Sequence, residues 1–289
     1  MMYMNDLQKK ELEILKEFIR ICKKLKITYY LDSGTLLGCI RHKGFIPWDD
    51  DIDVSMPRKD FDIFIKKAPN MLQKKFFIQT NKSDKEYTMA FAKLRNSETT
   101  FIESTTKHRN INHGIYMDIF PLDNYDTHKK IRNNFDKFMF RIYDIYINKY
   151  YDLNCTFSKK YKIIEKIINF IYRNKDLSYI VNKKEKISTR LKNKNTDYYH
   201  CYYYFTTKNI IYNKEIFGNG IIKKFEGIDV NVPQKYDEYL KLMYGDYMKL
   251  PPKEKRVAHH YCEIIDMNKS YIEYTKQEGK KWVYLKTKY

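Results

Sequence analysis

The sequence predicts an α+β fold, a mixed β-sheet with flanking helices and a mostly helical insert. Three observations lead there. Short β-prone runs alternate with helical periodicities through the first 125 residues, the period becomes helical from 126 to about 195, and a hairpin-like run appears at 221–232. The chain therefore divides into one unit formed by 1–125 and 221–289, and a basic, mostly helical insert or subdomain at 126–220.

Taken in order, Leu7, Leu12, Leu15, Phe18, Ile19, Cys22 and Leu25 recur at threes and fours, which predicts an amphipathic helix over 6–25. Residues 27–31 form a short β-rich run. Asp32, Ser33 and Gly34 are cap-type residues ahead of a second helix, 35–40. Residues 49–56 read as a short strand, closed by Pro57, and a helix is expected over 58–67 on the spacing of Phe61, Phe64 and Ile65. Residues 76–79, 89–94, 99–102 and 115–120 are further β-prone runs, the last ended by Pro121. In the insert, Ile163, Ile164, Ile167, Ile168 and Ile171 make one stripe among lysines. A hairpin with its turn at Glu226-Gly227, a helix over 234–244 and a Leu250-Pro251-Pro252 loop follow.

The chain has 289 residues, 43% hydrophobic and 31% charged, with 9 Gly and 7 Pro, enough for a sizeable core and unlike a collagenous or disordered chain. No run reaches the roughly 18 apolar residues of a spanning helix. Charges at Lys9, Lys10, Glu11, Glu13 and Lys16 break up the first segment, unlike a signal peptide, so a cytoplasmic location is expected. Five scattered cysteines (Cys22, Cys39, Cys155, Cys201, Cys262) read as reduced thiols.

Lys and Arg number 55 against 36 Asp and Glu, a net +19, which calls for an anionic partner: nucleic acid, anionic lipid or phosphorylated small molecules. Within 126–200 the count is 18 basic to 8 acidic, so +10 lies in about a quarter of the chain. A solvated surface accounts for such an excess equally well. For 163–171 the commoner use of the pattern is a core-facing stripe with solvated lysines, the other a peripheral contact with an anionic membrane.

Asp51 and Asp53 lie two apart on the expected strand, so their carboxylates share a face while Ile52 and Val54 point to the core. With Asp49 and Asp50 they put four acids in five residues of a basic protein, a cluster needing a cation or basic groups to offset its repulsion. Asp118, between Met117 and Ile119, is framed the same way and would add a third carboxylate from a neighbouring strand, an oxygen-rich set suited to Mg²⁺ or Mn²⁺. Ser33-Gly34 at a helix start offers backbone N–H groups, a hydroxyl and the helix dipole to a phosphate. Ser-Gly before a helix, an Asp-x-Asp strand and a later strand Asp form the layout of nucleotidyltransferase-type folds.

The runs Leu31-Asp32-Ser33-Gly34-Thr35-Leu36-Leu37-Gly38 and Arg41-His42-Lys43-Gly44-Phe45-Ile46-Pro47-Trp48-Asp49-Asp50-Asp51-Ile52-Asp53 closely resemble the LicD family of phosphocholine transferases, relatives of the fukutin-like enzymes. Further matches are Lys93-Leu94-Arg95, residues 114–122, Phe225-Glu226-Gly227, Tyr244-Gly245-Asp246-Tyr247, and Lys255-Arg256 followed by His259. The resemblance spans about 7–125 and 221–260 and says little of 126–220. It implies a nucleotidyltransferase-like catalytic core and transfer of a phosphorylated alcohol, typically phosphocholine from CDP-choline, to a hydroxyl of a cell-surface glycan or its lipid-linked precursor, with release of CMP. Fukutin-like relatives instead use CDP-ribitol.

On that reading Asp51, Asp53 and Asp118 are the metal ligands, and Asp49 is a further ligand or the base that takes the hydroxyl proton. Lys93 and Arg95 share a strand face and would reach phosphate oxygens, as would Arg41, His42 and Lys43, although basic residues also suit a helix C-terminus. His259 follows the family pattern, and Trp48 is the aromatic candidate for a quaternary ammonium. Two other functions fit parts of the sequence: a nucleotidyltransferase acting on a small acceptor, and a catalytically silent basic nucleic-acid-binding protein. No nucleic-acid-binding motif supports the latter, and no nucleic acid is expected as a partner.

Overall fold

The computed structural model describes residues 4–148, 159–202, 210–258, 260–278 and 281–284. Helix α1, Asp6–Leu25, opens on an Asn5 capping box with Gln8, and ends where Lys26 turns left-handed at φ 54°. Its inner face, from Leu12 to Cys22, packs into the main core. Strand β1 (Tyr30–Leu31) leads into α2 (Ser33–Arg41), whose N-cap Asp32 accepts the Ser33 N–H. Strand β2 (Asp53–Pro57) runs directly into α3 (Arg58–Lys67), and β3 (Phe76–Gln79), β4 (Ala92–Asn96), β5 (Thr100–Glu103) and β6 (Ile115–Tyr125) follow.

One seven-stranded mixed sheet organises this half. Its order is β1-β2-β6-β4-β3, with β2 parallel to β6 and the other neighbours antiparallel. Strand β6 does not stop at Pro121 as its sequence predicts; it continues to Tyr125. Asp118 donates its N–H to Ile52 O at 2.8 Å, so alternate N–H groups of β6 point to β2, and the position of Pro121 faces the opposite side. There the pairing with β4 has ended at Ile119 and that with β7 (Tyr198–His200) begins at Asp123. The missing donor falls in this gap and no ladder bond is lost. Strand β8 (Ile211–Asn213) extends β7.

Between these strands lies the helical part, α4 (Lys130–Asn148), α5 (Lys159–Ile171) and α6 (Leu177–Ser188). It has its own small core, Tyr143, Tyr146, Ile147, Ile168, Ile180 and Val181, separate from the main cluster. The predicted core-facing stripe on α5 is corrected here: Ile168 is buried, but Ile163, Ile164, Ile167 and Ile171 are exposed. The partners on α4 and α6 meet one edge of the helix through Ile168 and Tyr172, which leaves the rest of the stripe uncovered.

The chain returns through the hairpin of β9 (Ile221–Phe225) and β10 (Ile228–Val232), and helix α7 (Tyr236–Tyr244). The two turn residues both have positive φ, Glu226 at 47° and Gly227 at 80°. Glu226 Oε1 accepts the Phe45 N–H at 3.0 Å, and the Glu226 N–H reaches Lys43 O. A Cβ on Gly44 would come 1.9 Å from that carboxylate oxygen, so only glycine lets the hairpin grip the loop ahead of the acidic run. Last come β11 (Cys262–Asp266), antiparallel to β5, and a terminal pair, β12 (Thr275–Glu278) and β13 (Lys281–Tyr284). Of the five cysteines, Cys155 lies outside the described residues and the other four are free thiols.

Where α3 meets β6, the Arg58 guanidinium grips Asp123 through Nε (2.6 Å) and Nη2 (2.9 Å), with both side chains buried. Removing one member strands the other charge in the interior. Asp123→Ala should therefore lower unfolding stability by about 3–5 kcal/mol, read from urea denaturation. A loss within about 0.5 kcal/mol, the scale of surface substitutions, would show that the pair is solvated in solution.

Candidate functional site

Register brings the site together. Asp53 on β2 is the partner of Asp118 on β6, Asp118 of Lys93 on β4, and Lys93 of Gln79 on β3. Register partners share a face, so four polar side chains form one row across four strands, at the end of the sheet where β2 begins. Behind them Ile52 and Val54 are fully buried in the core. The Asp53 N–H donates to Thr35 Oγ1 at 2.8 Å, and the Asp32 N–H to Asp53 O at 3.0 Å, which tie the start of β2 to the first turn of α2.

Lys93 lies between an acid and a ring. Its Nζ is 2.8 Å from Asp118 Oδ1, an ion pair by distance rather than by hydrogen-bond alignment, and 3.3 Å from the centre of the Tyr116 ring. Arg95 is also buried, donating to Gln79 Oε1 (2.6 Å) and Gly114 O (2.7 Å), with its guanidinium 4.7 Å from the centre of the Tyr116 ring. A cavity of about 140 Å³ opens beside this row, lined by Lys93, Arg95, Glu103, Asp118, Tyr87 and His260 among others.

His259, the predicted histidine, lies outside the described residues; its neighbour His260 reaches the acids. The pairing of β11 with β5, extended by the Ser104 N–H to Tyr261 O, carries it there across more than 200 residues of chain. His260 donates its backbone N–H to Asp50 Oδ2 (3.0 Å), and its ring Nδ1 lies 3.1 Å from Asp50 Oδ1. Nε2 lies 3.9 Å from Asp51 Oδ2. Burial opposes its charge, yet Asp50 and Asp51 push the imidazole up to about 9.

Among the described residues, Asp50, Asp51 and His260 have donor atoms within 4.8 Å of one another. Asp53 and Asp118 are cross-strand partners beside them, with Asp118 Oδ1 facing Lys93. The acids still share one field. Burial, then Asp51 and Asp118, hold the Asp53 carboxyl well above the usual range; burial, then Asp51 and Asp50, do the same to Asp49. Burial raises Asp51 to about 6 against the pull of His260, and raises Asp118 against that of Lys93. Glu11, an acid outside the predicted set, faces the cluster from α1; burial and then Asp51, Asp49 and Asp50 raise its carboxyl, and its Oε2 is buried without a hydrogen-bond partner. Its signal in the sequence is position: Glu11 stands on the stripe of Ile14, Leu15, Phe18 and Cys22, where an acid has no solvent.

Crowded, raised, partly unpartnered carboxylates are what a divalent cation relieves, and the donors are hard oxygens. Asp49, Asp51, Asp53 and Asp118 therefore suit such an ion. The remaining predicted residues are placed as follows. A Cβ on Gly34 would stand 2.9 Å from Asp49 Oδ2, so Asp49 sits against the N-terminus of α2 where a phosphate was expected, and Ser33 is buried there at φ 45°. Arg41 donates to Tyr247 O at 2.7 Å, and Lys43 caps Ile40 O at 3.0 Å. Trp48 lies between His42, edge-on at 6.2 Å, and the Arg256 guanidinium, 5.6 Å from its ring. Tyr239, on α7, hydrogen-bonds the buried Asp32.

A family model described as LicD/FKTN/FKRP, nucleotidyltransferase domain, matches residues 26–235. The lipopolysaccharide cholinephosphotransferase LicD of Haemophilus influenzae is 32% identical over 263 residues, 87% of this chain and 94% of that protein. An uncharacterised protein of Rickettsia prowazekii is 29% identical over 117 residues, 40% of each chain. Another, of Rickettsia typhi, is 37% identical over 70 residues, 24% of this chain and 23% of that one. With the family model covering most of its length and that relative aligned nearly end to end, this chain belongs to the LicD family.

Proposed function

We propose that the protein is a metal-dependent transferase that moves phosphocholine from CDP-choline to a hydroxyl of a cell-surface glycan, lipopolysaccharide or its lipid-linked precursor, releasing CMP. The observation that carries this reading is the row Asp53, Asp118 and Lys93 on three neighbouring strands, with Asp49, Asp51 and His260 at its edge. The kinship with a lipopolysaccharide cholinephosphotransferase supplies the substrate class.

Transfer forms a bond from the acceptor oxygen to the phosphorus that carries choline and breaks the anhydride bond, so that CMP departs with the electron pair. Asp51, Asp53 and Asp118 would hold Mg²⁺ or Mn²⁺, which neutralises the diphosphate when bound. Lys93, held in the row between Asp118 and Tyr116, offers a positive charge to the same oxygens. Asp49 takes the proton of the attacking hydroxyl; burial, then the neighbouring Asp51 and Asp50, raises its carboxyl, which strengthens it as a proton acceptor. His260 orients Asp50 and Asp51. The acceptor enters by the cleft of about 610 Å³ that Met89 and Phe91 share with the smaller cavity and whose far wall is Val181 and Glu185 of α6.

Purified protein given CDP-choline and Mn²⁺ with a glycan acceptor should release CMP, and should discriminate against CDP-ethanolamine, CDP-ribitol and CDP-glycerol. Asp53→Asn and Asp51→Asn should each lower turnover by on the order of 10²–10³-fold while the fold persists. Release of phosphocholine or pyrophosphate instead of CMP would mark nucleotidyl transfer and overturn the reading.

The acid cluster also sets a pH dependence. Asp51, Asp49 and Asp53 have folded-state values above their unfolded ones, so the folded protein binds more protons, and metal-free stability should fall as pH rises from about 4 through 6. Thermal unfolding in EDTA should show a lower Tm at pH 7 than at pH 5, Mn²⁺ should restore it at pH 7, and Asp51→Asn should flatten the slope. A slope unchanged in Asp51→Asn would remove that residue from the cluster.

A further inference from the structure

We propose that α5 docks on an anionic phospholipid bilayer, lying in the headgroup plane with its exposed apolar stripe turned to the acyl boundary. Ile163, Ile164, Ile167, Phe170 and Ile171 are 47–67% exposed. At about 100° per residue they fill a stripe roughly 120° wide. The helix is already anchored to the protein by another edge, where Ile168 packs with Tyr143, Tyr146, Ile180 and Val181. Five large apolar side chains on one helix thus face outward without any structural need. Helix α4 repeats the pattern, with Ile131, Phe135 and Phe138 exposed at the spacing of one helix face.

Charge identifies the occupant. The region from 126 to 200 carries 18 basic and 8 acidic residues, so a second copy of this face would meet strong like-charge repulsion, whereas an anionic surface is attracted. Lys166 on α5 and Arg173, just past its end, border the stripe, and the Arg173 guanidinium lies 4.2 Å over the Phe170 ring. A ring at the acyl boundary with a cation above it at phosphate depth is how amphipathic helices sit in the interface. With 13 residues, α5 is too short to span a bilayer, which fits an in-plane position. The inference does not depend on the transfer reaction.

The full chain is sedimented with vesicles of phosphatidylcholine, with and without phosphatidylglycerol. Binding is expected only with phosphatidylglycerol and should fade as salt rises. Two variants, Ile163→Gln/Ile167→Gln/Phe170→Gln and Lys166→Glu/Arg173→Glu, should each lower the vesicle partition coefficient at least about tenfold, since each removes apolar area or attraction at the surface. All five positions are exposed, so circular dichroism should show both variants folded. Equal recovery in the supernatant with both vesicle types, or variants that bind like the wild type, would overturn the proposal. So would a dimer in light scattering that the triple glutamine variant dissolves.

Discussion

Asp53 and Asp118 are neighbours because β2 and β6 run parallel in one particular register, and most of the site follows from that pairing. A shift of β2 by one residue would turn Asp53 into the core and Ile52 and Val54 toward the site, while Asp118 stayed where it is. Two buried carboxylates side by side repel each other, so the register holds only if the opposite faces are worth more. The fully buried Ile52, Val54, Met117 and Ile119 supply that, each by about 1.5–3 kcal/mol for a side chain of this size. The hydrophobic face thus pays for the functional one.

The second constraint is charge compensation. Lys93 enters the row by antiparallel pairing of β4 with β6, and His260 enters from the far end of the chain by pairing of β11 with β5. Lys93 and His260 face a cluster of acids, and burial first, then the neighbouring carboxylates, raises the carboxyls of Asp49, Asp53 and Glu11. A divalent cation would relieve that crowding. The supporting contacts are backbone bonds: Gln8 Nε2 to Ile46 O and Asp49 O, Thr35 to the Asp53 N–H, and Glu226 to the Phe45 N–H. They fix the path of the chain through backbone groups.

Local signals carried a large part of this arrangement. Helix α1 runs from Asp6 to Leu25, as its periodicity predicts, and β3 and the Glu226-Gly227 turn also fall where patterning places them. Propensity failed where tertiary pairing overrode it, as at Pro121, whose missing donor falls in a gap that only the sheet order reveals. In the site, Asp53, Asp118 and Lys93 were legible from alternation and framing. His260 was not, because its approach to Asp50 and Asp51 depends on the pairing of β11 with β5, which no local pattern announces. Glu11 was visible only as a charge on an apolar stripe, a mark that burial explains afterwards.

Residues 163–171 illustrate the opposite failure. Periodicity reports that a helix has an apolar face, not what covers it. Here the neighbours α4 and α6 meet the edge at Ile168 and, among the described residues, bury no other isoleucine of the stripe. A stripe that broad on a unit that small must either be covered by something else or be lost to selection against aggregation. Cations beside the isoleucines oppose self-association and would suit an anionic surface, so the residues that make the stripe costly in water are those on which the proposed docking rests.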